Sequence, residues 1–212
     1  MAGHVAYFLG RASLVTALFC AVYGLCDLVT GSHGVRLRVH MDWELAIPFV
    51  AWTTVVYSSV YLMFPFTPFV LTTRDALDRF ARALALQILA AGIFFVALPA
   101  EPAYPPGARD LGVWAPAFVA ADTVNLRYNM VPSLHVALAV SCALVFAPAV
   151  GRGARYALAV WALAVSVATL TTHQHHLVDV VAGIALAFGA VRATQAASTI
   201  SREAPDAVNS AV

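Results

Sequence analysis

Pro132-Ser133-Leu134-His135 opens the run Val136-Ala137-Leu138-Ala139-Val140-Ser141-Cys142-Ala143-Leu144-Val145-Phe146. A hydroxyl and an imidazole thus stand directly against a stretch suited to hydrocarbon. A second junction of the same kind is Thr171-Thr172-His173-Gln174-His175-His176-Leu177-Val178-Asp179, followed by apolar residues through Val191. Ionisable groups at the mouth of a membrane helix are costly to place, and they mark a functional site by default.

The rest of the chain supports the membrane reading. Of 212 residues, 61% are hydrophobic and 11% charged, against roughly 25% charged in globular domains. The sequence predicts an integral membrane protein. A net charge of +1 gives no reason to expect nucleic acid as a partner. All basic residues are arginine, a bias of the kind genome composition produces.

Six segments approach the length of about 20 residues that a spanning helix needs: 12–31, 44–66, 80–99, 134–150, 154–172 and 177–196. The predicted fold is all-α, a bundle of about six transmembrane helices in one domain over 1–196, with a flexible tail over 197–212. Pro65 and Pro68 end the second segment and lead into Phe69-Val70-Leu71 at the interface. Thr72 with Asp75 reads as a capping box, so the third helix begins early and carries Arg74, Arg79 and Arg82 at the membrane surface. The loop over 100–131 is rich in Pro, Gly and Ala and is expected to pack over the helices through Trp114, Phe118 and Tyr128. Cys20, Cys26 and Cys142 lie in apolar segments and read as small core hydrophobes. Arg11 before an apolar run weakly resembles a signal peptide, but no small-x-small cleavage site follows, so this is read as an uncleaved first helix.

With six spans, Arg11, Arg74, Arg79, Arg82, Arg152, Arg155, Arg192 and Arg202 fall on one side, and Arg36, Arg38, Arg109 and Arg127 on the other. The larger group predicts cytoplasmic termini and places the long loop and the His175 loop outside or in the periplasm. Arg36 and Arg38, in a short loop, weigh against it.

Pro132 suits the first turn of a helix, because its missing N–H would be unpaired there. The remaining N–H groups of that turn form an anion site. Ser133 adds a donor, and His135 can face the same anion. His175 and Asp179 have helical i,i+4 spacing, which would put them on one face. A carboxylate there fixes the imidazole tautomer and frees the other nitrogen to attack. Between the starts of segments four and six the chain crosses the membrane twice, so both starts face one leaflet and both dipoles can point at one phosphate.

Each feature also has a plainer reading. Pro-Ser-x-His alone is equally a capped helix start. His–Asp at this spacing is equally a structural pair. His173, His175 and His176 form a candidate zinc or copper site, yet neighbouring histidines diverge, and only Asp179 is at hand to complete a ligand sphere. The two junctions together favour catalysis.

These residues resemble the type-2 phosphatidic acid phosphatase superfamily, which also contains vanadium haloperoxidases. Pro132, Ser133 and His135 match its second motif, with Leu134 in place of glycine; His175 and Asp179 match the H-x-x-x-D ending of its third. The likeness covers the second half well and the six-helix plan throughout. Two departures stand out. Ala168 and Thr169 occupy the usual Ser-Arg of the third motif, and Leu98 to Pro106, where a basic first motif belongs, has no cation. Asn129-x-x-Pro-Ser-Leu-His, with Thr-x-x-Gln-His before the aspartate, is more similar to the inositol phosphorylceramide synthase branch. Arg127 is the local candidate to replace a lost cation. The haloperoxidases are soluble and hold vanadate with the cations missing here, so that activity is not expected.

The resemblance implies a lipid phosphoester substrate. His175 is the expected nucleophile, oriented by Asp179. His135 is the expected general acid and base. Ser133, Arg127 and Asn129 are the expected substrate contacts. Water or a second alcohol, lipid or otherwise, accepts the phosphoryl group, with no metal or cofactor. His173 and His176 line the mouth, and Gly183 permits close helix packing. Residues alone do not separate phosphatase from phosphotransferase. The competing classes are a transporter with a His–Asp proton relay and a non-catalytic membrane scaffold. A transporter is disfavoured because the ionisable residues sit at helix ends.

Overall fold

In the computed structural model, residues 1–101, 103–104 and 110–209 are described, with side chains through residue 197. The regular structure of those residues is all helical, joined by loops, apart from one isolated bridge between Leu37 and Ala100. Among the described residues four helices are long and apolar enough to cross a membrane: α1 (Ala2–Gly31), α5 (Arg74–Ala97), α8 (Arg152–Thr171) and the Leu177–Ala197 part of α9 (Leu177–Asn209). A shorter apolar helix, α7 (Leu134–Phe146), continues to Ala149 as a 3-10 turn. This is a membrane protein, and Leu14, Leu28, Ile93, Val160 and Leu163 present apolar surface outward.

The expected second segment, 44–66, is not one helix. Asp42–Ala46 is a 3-10 turn, and helix resumes only as α2 (Thr53–Ser58), α3 (Val60–Met63), a 3-10 turn at Phe64–Phe66 and α4 (Thr67–Val70). Pro65 and Pro68 lack the N–H a continuous ladder needs. The hydroxyls of Thr53 and Ser59 bond back to the carbonyls of Val50 and Val56, which loosens a helix further.

The third expected helix does begin early, at Arg74, but its cap is Thr73, whose hydroxyl accepts the Ala76 N–H at 3.2 Å. The loop expected over 100–131 contains a helix, α6 (Ala115–Val124), started by Pro116 in its first turn. Phe118 is buried edge-on against Phe49, and Tyr128 packs on Gly31 and under Arg36. Trp114 is 41% exposed and does not anchor. Cys26 and Cys142 are buried, whereas Cys20 is exposed on the helix surface. Of the expected tail, the backbone is helical to Asn209, and 210–212 lie outside the described residues, as do Pro102, Pro105, Pro106 and Arg109.

α1 packs along α5, and α7 is central, against α5, α8 and α9. The main core gathers Val60, Leu77, Phe80, Leu84, Leu138, Phe146 and Val165. α7 and α9 approach closely at Gly183, where an added Cβ would lie 2.5 Å from the Ser133 carbonyl oxygen. Gly183 therefore does what its position predicted: it lets the two motif-bearing helix starts meet.

Candidate active site

The turn between α8 and α9 is built on one carbonyl. Thr169 O accepts the N–H groups of both Gln174 and His175 at 3.1 Å. Reversing the chain this tightly puts His173 at a positive φ of 58°, which few non-glycine residues adopt. Its Nε2 donates to Ile47 O at 2.8 Å, and its ring stacks on Tyr104 at 3.9 Å.

His175 stands ahead of α9, not on its face. The i,i+4 spacing joins the pair for a different reason: Asp179, two residues into the helix, folds back as a cap. Its Oδ2 accepts the His176 N–H at 2.8 Å and meets His175 Nδ1 at 3.3 Å. Asp179 is fully buried and His175 nearly so. With Nδ1 facing the carboxylate, Nε2 is the nitrogen left for other chemistry.

The first turn of α7 is tied to the same point. Ser133 N–H donates to Asp179 O at 3.0 Å, and Ser133 Oγ accepts the Val136 N–H at 3.4 Å. Ser133 is thus a fully buried helix cap. His135, in the first turn, is buried between two tyrosines, with Tyr57 Oη 2.9 Å from Nδ1 and Tyr61 Oη 2.7 Å from Nε2.

Tyr57, Asn125, Arg127, Asn129, His173 and His175 line a cavity of about 500 Å³. Ser133, His135 and Asp179 stand behind that lining. Asn129 is buried, with Nδ2 on Tyr23 O at 2.7 Å, and its Oδ1 has no partner among the described residues. Arg127 is exposed and lies 6.0 Å from the Tyr128 ring.

One expected feature is differently arranged. The start of α9 does not offer its N–H groups to an anion, because carboxylates already take two of them. Asp179 holds the His176 N–H, and fully buried Glu44 holds the Leu177 N–H at 2.7 Å. Of the two expected helix-end anion sites this leaves the α7 start, whose Val136 N–H is itself capped by Ser133.

Glu44 was missed in the sequence. It also accepts the Met41 N–H and lies 3.4 Å from His176 Nδ1. A carboxylate opening an apolar segment, two residues after Asp42, was the signal for it. His176 stacks between His40 and Tyr104, at 4.9 and 4.5 Å. Burial lowers its pKa below the ordinary histidine value, against the opposing pull of Asp179 and Glu44. Burial, with Glu44 and Asp179 nearby, pushes the Tyr104 hydroxyl up to about 12. Tyr104 comes from the stretch where the basic first motif was sought, so that loop brings an aromatic ring to the histidines in place of a cation. The three histidines of the turn face different partners, and among the described residues no group of three or more His, Cys, Asp or Glu is placed to hold a metal ion.

The family model described as PAP2 superfamily matches residues 33–193, well over half of the chain and all of the site residues just described except Tyr23. No curated protein and no solved structure matches.

Proposed function

The chain belongs to the PAP2 superfamily, and from that premise we propose that it is a membrane enzyme that hydrolyses or transfers the phosphoryl headgroup of a lipid phosphoester through a phosphohistidine. The observation that carries this reading is His175, held through Nδ1 by the buried Asp179 at 3.3 Å while lining a cavity of about 500 Å³. His175 Nε2 attacks phosphorus in line as the bond to the leaving oxygen breaks. His135 is the source of the proton that the leaving oxygen takes. Arg127 and the first-turn N–H groups of α7 stabilise the equatorial oxygens. Ser133 acts by holding that turn. Water or an alcohol then takes the phosphoryl group from His175.

A transferase resembling the inositol phosphorylceramide synthases is supported by Asn129. It stands at the head of Asn129-x-x-Pro-Ser-Leu-His, lines the cavity beside His175, and is fixed there by Nδ2 donating to Tyr23 O.

The site is proposed to face the outside or periplasm of a bacterial inner membrane. α1, α5 and α8 end near the site, so their starts lie at the opposite end. That end carries Arg11 paired with Asp78, Arg74 over Tyr7, and Arg152 with Arg155 at the start of α8.

The test uses detergent-purified protein and a panel of lipid phosphates in EDTA, with and without inositol or diacylglycerol as acceptor. Release of inorganic phosphate, or acceptor-dependent headgroup exchange, is the expected result. No turnover of any phosphoester, or activity abolished by EDTA, contradicts the proposal.

A further inference from the structure

Both ring nitrogens of His135 are occupied, and neither partner is substrate. The direction of these hydrogen bonds can be worked out. Asn125 Nδ2 donates to Gln174 Oε1 at 3.1 Å, which fixes the amide and leaves Asn125 Oδ1 as an acceptor. Tyr57 O–H donates to that oxygen at 2.7 Å. A hydroxyl has one proton, so the Tyr57 oxygen accepts from His135 Nδ1–H at 2.9 Å. In the neutral ring, Nε2 then accepts from Tyr61 O–H at 2.7 Å. The rings of Tyr57 and His135 stack at 4.1 Å, which holds the relation firmly.

The two tyrosines face different surroundings. Tyr61 borders a second cavity, of about 340 Å³, lined largely by apolar residues such as Phe19, Phe64, Leu84 and Leu138. That is a poor place to deliver a proton. Tyr57 lines the polar cavity beside His175.

We propose that Tyr57 is a catalytic residue, the group that hands the proton of His135 to the leaving oxygen. The proposal rests on the phosphoryl-transfer reading of the site. The bound phosphate anion favours the charged ring, and His135 enters the step as the imidazolium, its Nε2–H then donating to the Tyr61 oxygen. The bond from His175 Nε2 to phosphorus forms as the bond from phosphorus to the leaving oxygen breaks. Nδ1–H passes its proton to the Tyr57 oxygen while the Tyr57 hydroxyl proton moves to the leaving oxygen. Tyr57 ends unchanged, His135 ends neutral, and His175 keeps its Nδ1 proton on Asp179. In the second half, the proton of the attacking water or alcohol returns along the same path and recharges His135. Asn125 is the resting acceptor from which the hydroxyl swings.

The experiment compares kcat/KM for octyl phosphate, whose alkoxide must be protonated, with kcat/KM for 4-nitrophenyl phosphate, whose phenolate leaves without help. General acid catalysis contributes about 10²- to 10⁴-fold. Tyr57→Phe is expected to lose about 100-fold or more on octyl phosphate and less than about 10-fold on the nitrophenyl ester. Adding His135→Ala to Tyr57→Phe is expected to cost little more on octyl phosphate, because the two act as one unit. Equal losses on the two esters, or no loss on either, overturn the proposal. If Tyr57→Phe does not fold, a proton inventory of the parent protein in H₂O–D₂O mixtures decides. A bowed plot for octyl phosphate is expected from two protons in flight, and a linear plot overturns the relay. A parent inactive on both esters contradicts the reading of the site itself, and so is told apart from failure of the relay alone.

Discussion

His175 Nδ1 lies 3.3 Å from Asp179 Oδ2, and that same oxygen accepts the backbone N–H of His176 at 2.8 Å. One buried carboxylate therefore starts a helix and orients the proposed nucleophile. Asp179→Asn retains an oxygen to cap the helix but removes the charge that supports an imidazole as it takes on positive charge. Phosphoryl transfer is expected to fall by about 10²- to 10⁴-fold, while the melting temperature in detergent falls only modestly. Steady-state rates and a melt on the same preparation check this.

Gly183 and Gly189 offer a matched pair on α9. At Gly183 a methyl group would meet the Ser133 carbonyl oxygen at 2.5 Å, and backbone cannot move aside cheaply; at Gly189 nothing lies within 4 Å. Gly183→Ala is expected to cost about 1–3 kcal/mol and to reduce activity by displacing His135 from His175. Gly189→Ala is expected to leave activity unchanged and to hold or raise stability, by up to about 1 kcal/mol. Denaturation midpoints and rates of the two variants make the comparison.

Glu44 holds the loop before α2 against the start of α9. Glu44→Ala leaves the Leu177 N–H buried and unpaired, an expected loss of about 1–3 kcal/mol. Glu44→Gln keeps an oxygen for one of its two N–H donors and is expected to cost less. Unfolding midpoints of the two variants rank them.

These three predictions divide into what the sequence made legible and what it did not. The apolar runs and the matched helix starts of α7 and α9 were readable, because hydrophobic length and the parity of membrane crossings depend on order along the chain alone. The pairing of His175 with Asp179 was readable too, although through a cap instead of a helical face. Tyr57, Tyr61 and Tyr104 were not, and Glu44 was signalled only by its place at the head of an apolar segment. Each comes from a segment distant in sequence, and a tyrosine in an apolar run reads as ordinary membrane filling until its hydroxyl is seen on an imidazole. The broken path from Thr53 to Val70 was half signalled, by Pro65 and Pro68 but not by the hydroxyls of Thr53 and Ser59.

The lowered pKa of His176 makes stability depend on pH. A histidine whose folded pKa lies below its unfolded value binds fewer protons folded than unfolded between those two values. Stability is then complete above the unfolded value of about 6.5 and is lost as pH falls from there toward the folded pKa. Melts between pH 7.5 and 5 are expected to show this fall, with a His176 share below about 1.4 kcal/mol per pH unit, the limit for one proton. His176→Gln is expected to flatten it.

The most direct measurement is the covalent intermediate. The purified protein is mixed with a lipid phosphate carrying ³²P in its phosphoryl group, quenched in alkali within the first turnover, digested and sequenced by mass spectrometry. The expected result is an alkali-stable, acid-labile phosphate on the peptide containing His175, lost in His175→Ala. Turnover of the lipid with no label on His175, or full activity in His175→Ala, would contradict His175 as the nucleophile.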